Sequence, residues 1–164
     1  MTPSITDWAN FFTAEVGAAA ALTGLVVVAV SINLGRILSF PQLPPRAAEP
    51  IVMLTGALIL SSFGLVPGQP IAIFGAEVLA IGLLILLVAL RNQLPLAQPV
   101  EGVTRVKILL RALVCAFVAL PLVIGGILLV LGWNAGLYLA GIGVLIALTA
   151  GVWNAWVLLI EIMR

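Results

Sequence analysis

The chain has no histidine, one cysteine, one lysine and one aspartate. Without histidine, a Ser–His nucleophile pair, a His-ligated haem and most zinc sites are out of reach within one chain. A lone thiol, Cys115, cannot build an intramolecular disulfide framework. Asp7 has no second aspartate to pair with for intramembrane aspartyl proteolysis, and Lys107 sits at the end of an apolar run, too far out for a mid-membrane Schiff base. The longest polar stretch, RNQLPLAQPVEGVTR, lacks a glycine-rich phosphate cradle. These absences make an enzyme the last function class to expect. They also argue against any cofactor or resident metal. The start, MTPSITDW, has no basic n-region, so no removable signal is expected.

Charge is scarce as well. Of 164 residues, 8% are charged and 63% hydrophobic, against about a quarter and about half in a soluble domain. So much apolar surface needs the bilayer as its solvent. The apolar runs predict an all-α, single-domain (1–164) bundle of five transmembrane helices: about Asp7 to Leu34, Ala47 to Val66, Ile71 to Leu90, Val106 to Leu131 and Leu137 to Ile160. Each is near the ~20 residues that cross ~30 Å of hydrocarbon. With five spans, all seven basic residues (Arg36, Arg46, Arg91, Arg105, Lys107, Arg111, Arg164) fall on one side. The positive-inside rule makes that side cytoplasmic, which puts the N-terminus outside. The expected location is a cell membrane, the cytoplasmic one if the source is prokaryotic, with the chain multi-pass.

Two carboxylates stand out. Glu15 and Glu77 lie at similar depths in the outer half of their helices, with no basic residue on that side. An isolated ionised carboxylate is not tolerated in hydrocarbon. Each must be protonated, face water, bind a cation or find a polar neighbour such as Asn10, Thr13 or Gln69. The functional reading is a shared, cation-attracting outer vestibule. The plain alternative is that both reach the headgroups. Glu49 stands three residues from Arg46, a helical pairing distance, and Glu161 lies at the inner surface.

The first helix carries two stripes. Gly17, Ala21, Gly24, Val28, Ser31 and Gly35 form a small one, suited to close helix packing. Glu15, Ala19, Leu22, Val26, Ala29, Asn33 and Arg36 form the other, polar at its ends. Around a symmetry axis, Leu22, Val26 and Asn33 would line a path below an acidic ring. The fifth helix has a longer small stripe: Gly136, Ala140, Gly143, Ala147, Gly151 and Ala155.

LTGLVVVA, Leu22 to Ala29, resembles the pore helix of Orai calcium channels, which carries Leu-Ser-Gly, three residues, then Val-Ala. The family's selectivity glutamate falls where this chain has Ile32, and its helix runs in the opposite direction, so no site is carried over.

The expected function is therefore a small self-associating membrane protein that forms an ion- or solute-conducting path with an acidic outer mouth. The alternative is a non-conducting accessory or lipid-binding protein that modulates a larger membrane partner. The expected partners are the lipid bilayer, further copies of the chain, and cations; nucleic acid is not among them. Reporter fusions at the two termini test the topology. The N-terminus is expected outside and the C-terminus in the cytoplasm, and two reports from one compartment would mean an even number of spans.

Overall fold

The computed structural model describes residues 5–41, 43–93 and 105–163, with side chains described for 5–41, 43–91 and 116–162. A 3-10 turn, Ile5–Trp8, leads into α1 (Ala9–Ile32), followed by α2 (Leu34–Leu38), α3 (Leu43–Phe63), α4 (Ile71–Gln93), α5 (Arg105–Val130) and α6 (Gly136–Met163). There is no strand among the described residues. Among the described residues, four helical segments are long and apolar enough to cross a membrane: Ile5–Ile32, Leu43–Phe63, Ile71–Arg91 and Gly136–Ile162. The fifth expected span falls on α5, a helix of 26 residues. The side chains of α5 are described from Ala116 on, and among them the apolar stretch is Ala116–Val130. Glu101, Arg164 and the Cys115 side chain lie outside the described residues.

Helix ends differ from the sequence reading for local reasons. The first helix breaks at Asn33, whose side-chain amide donates to the Ala29 carbonyl at 2.8 Å, and α2 resumes beyond it. α3 begins at Leu43, four residues early, with Pro44 and Pro45 in its first turn. Proline is tolerated there because the first backbone N–H groups of a helix have no intrahelical acceptor. Between α5 and α6, Trp133 N–H donates to the Leu128 carbonyl and Gly132 N–H to that of Leu129, with Gly132 at φ +81°. That is a Schellman stop, and its left-handed position is the one glycine occupies most easily. Gly68, at φ +70° after Pro67, reverses the chain between α3 and α4 in the same way.

The helices meet where large side chains enter glycine notches. In the α4–α5 seam, Gly75 faces Leu129, Gly126 faces Leu79 and Gly82 faces Leu122. A Cβ added at Gly126 would lie 2.6 Å from the Leu79 backbone nitrogen, so the two backbones are almost in contact. Across α5–α6, Gly136 faces the same Leu129 and Gly143 the same Leu122. Leu122 and Leu129 are therefore each held between glycines of two helices, with 1% and 0% of their surface exposed. The pattern continues around the bundle. Leu54 of α3 meets Gly151 of α6, Ile81 and Ile85 of α4 meet Gly56 of α3, and Phe12 of α1 enters the notch at Gly64, just past the end of α3. α3 thus contacts α1, α4 and α6, while α1 touches α6 only lightly.

The two small stripes end in opposite surroundings. All six members on α6, Gly136 through Ala155, are buried, and all six of the other stripe, Gly17 through Ser31 on α1 and Gly35 on α2, are exposed. A Cβ added at Gly17, Gly24 or Gly35 would meet nothing within 4 Å. α1 packs on its own chain by the other stripe, in which Ala19 is fully buried and Val26 is 8% exposed.

Candidate functional site

Phe12 and Phe74 fix the relative depth of the two carboxylates. Their rings meet edge to face, with centroids 5.6 Å apart. Glu15 and Glu77 each stand three residues further along helices that run in the same direction, so both lie about one turn deeper than this contact. Both are half-buried.

Glu77 has a partner. The chain reversal at Gly68 brings Gln69 over the first turns of α4, and its amide nitrogen donates to Glu77 Oε2 at 2.7 Å. This is one of the solutions open to a membrane carboxylate, and Gln69 is one of the three polar neighbours the sequence offered. Thr13, another of them, bonds instead to the Ala9 carbonyl of its own helix. Gln69 Oε1 is buried and has no partner. Glu15 has no hydrogen bond or ion pair among the described residues.

The end of the bundle that holds both carboxylates is filled by aromatic rings. Trp8 lies 5.1 Å from Tyr138 and 5.4 Å from Phe11 by ring centroids, and Phe11 lies 5.4 Å from Phe12. With Phe74, these rings occupy the space between the first turns of α1, α4 and α6. Neither Glu15 nor Glu77 lines any of the three described cavities. The common vestibule expected from the sequence is not among them.

Leu22 and Val26 face α6 across a groove walled entirely by apolar side chains and Trp156. The Asn33 amide is turned back onto Ala29. The hydroxyls of Thr23, Ser31, Ser62 and Thr149 likewise donate to carbonyls four residues back on their own helices, at 2.7–2.8 Å. In lipid this satisfies the hydroxyl without a neighbour. Ser61 is fully buried with no partner for its oxygen. Asn154 reaches across to Met53 Sδ at 3.6 Å, a weak link between α6 and α3.

At the opposite, basic end, Arg46 pairs with Glu161 and joins the start of α3 to the end of α6. The sequence suggested Glu49 as its partner, because i,i+3 spacing is visible in one helix and a contact across 115 residues is not. The aromatic cluster was missed for a similar reason. Trp8 and Tyr138 stand at opposite ends of the sequence, and only the fold brings them together.

Comparison with protein families, curated proteins and solved structures finds no match for this chain.

The Gln69–Glu77 contact makes a testable coupling. Gln69→Leu should cost about 1–3 kcal/mol by leaving a half-buried carboxylate unpaired. In a Glu77→Leu background the same change should cost much less. Equilibrium unfolding of the four proteins in detergent measures the cycle, and strictly additive losses would show that the bond carries no weight.

Proposed function

We infer that this chain crosses a cell membrane five times, N-terminus outside and C-terminus in the cytoplasm. In a prokaryote this would be the cytoplasmic membrane. It acts there as a non-enzymatic, non-conducting accessory protein that packs against a larger membrane partner through α1. One observation carries the reading: the small stripe of α1 is wholly exposed, while the matching stripe of α6 is wholly buried. Between helices in lipid, association relies on close van der Waals packing, and small residues permit it. The α6 stripe is used within the chain, and the α1 stripe is left for another molecule. The aromatic filling of the acidic end, the Gln69–Glu77 bond and the self-bonded hydroxyls all support a sealed interior. The five-span topology itself rests on the one-sided distribution of basic residues.

Glu15 supports a second reading. It is half-exposed on α1 without a partner in the described chain, so copies associating through α1 would bring several such carboxylates together and give a conducting path its acidic mouth.

A photoreactive side chain at position 24, activated in native membranes, separates the two. The accessory reading predicts an adduct heavier than two copies of the 17.1 kDa chain. An adduct of two copies, together with cation flux through proteoliposomes that Glu15→Gln abolishes, would favour the conducting assembly. No adduct at 17 or 24 would overturn both.

A further inference from the structure

The light contact between α1 and α6 leaves a groove of about 330 Å³ running along the basic half of both helices. Leu22, Val26 and Val30 form one wall, and Val152, Trp156 and Leu159 the other. Leu158 and Ile162, each 2% exposed, close its base toward the basic end. From Leu22 to Val30 is eight residues, ~12 Å of helix, so the groove is long and parallel to the helices. No polar side chain other than the Trp156 indole enters its lining.

The chemistry changes at the basic end. Ile37 of α2 is 2% exposed and packs on the same Val30, Leu158 and Ile162 that line the groove. Its neighbour Arg36 is exposed. Around it, Arg46 and Glu161 neutralise each other and Glu49 makes an interaction of its own. Arg36 joins no ion pair among the described residues. Arg36 thus stands next in sequence to the side chain that packs on the groove's basic end, and it has no counter-charge among the described residues. A zwitterionic lipid would fill the groove but bring its own positive charge to Arg36. An anionic phospholipid satisfies both parts, as basic sites between membrane helices do for acidic headgroups.

We propose that the α1–α6 groove is a specific phospholipid site, holding one acyl chain of an anionic lipid whose phosphate pairs with Arg36. This goes beyond the accessory reading and does not depend on it, because the groove and the exposed stripe are different faces of α1.

The test is thermal unfolding of the purified protein in detergent, titrated with phosphatidylglycerol or with phosphatidylcholine of identical chains. Phosphatidylglycerol should raise the unfolding midpoint saturably and at lower concentration. Arg36→Gln should weaken its apparent affinity about five- to tenfold, to the level of phosphatidylcholine. Arg91→Gln, which removes an exposed arginine from α4, should leave the preference intact. Ala29→Trp, which fills the groove from a half-buried position, should remove the saturable response to both lipids. Equal responses in the wild type, an undiminished preference in Arg36→Gln, or an equal loss in Arg91→Gln would overturn the proposal. Should Ala29→Trp fail to fold, the two arginine variants decide the question alone.

Discussion

Leu122 and Leu129 are the wedges on which the bundle is built. Their Cβ atoms and the adjoining backbone lie against Gly82 and Gly75 of α4, and their branched ends reach Gly143 and Gly136 of α6, so two residues of α5 set the spacing of three helices. The reason lies in the solvent. Lipid tails are as apolar as leucine, so burial alone gives membrane helices little reason to associate. What remains is van der Waals contact, which rises steeply as backbones approach. Glycine permits the approach and leucine fills the remaining volume. The close approach is reciprocal in the α4–α5 seam, where the backbone and Cβ of Leu79 of α4 lie against Gly126 of α5. Neither helix is simply the knob or the socket.

The same logic separates the parts of the molecule. α4, α5 and α6 are locked by these notches, and α3 joins them through Gly56 and Leu54. α1 is attached differently: its large side chain Phe12 fits the glycine of α3, while its own glycines Gly17 and Gly24 touch nothing in the chain. The result is a firm unit with one helix that shows its smallest face to the surroundings and stands slightly off α6. Both functional ideas follow from that one asymmetry. The open face suits another membrane helix, and the gap suits a lipid chain. Among the polar groups, Glu77 is occupied by Gln69 and the hydroxyls of Thr23, Ser31, Ser62 and Thr149 by their own helices.

Much of this was legible in the sequence, because hydropathy and turn residues report on the chain one segment at a time. The helices and the small stripe of α6 belong to that class. Pro44 and Pro45 moved the start of α3 only because proline is harmless in a first turn. Facing was harder. The stripe on α1 has the same small-residue spacing as that on α6, yet one is buried and the other exposed. Spacing shows that a helix can be approached closely, not which neighbour will come. Contacts between distant segments were harder still. Arg46 with Glu161, Trp8 with Tyr138 and the groove beside Trp156 leave no local trace, since in apolar sequence each wall looks like any other span.

The central claim is that glycine notches in α4–α5–α6 hold the protein together while the glycines of α1 do not. The most direct measurement compares unfolding free energies of Gly126→Ala and Gly24→Ala in the same bilayer mimetic. At Gly126 the added methyl would meet the Leu79 backbone at 2.6 Å, so the helices must separate and a loss of about 2 kcal/mol or more is expected. At Gly24 nothing lies within 4 Å, and alanine's better helix propensity should leave stability unchanged or raise it by up to about 1 kcal/mol. Equal tolerance at the two positions, or a larger loss at Gly24, would contradict the account.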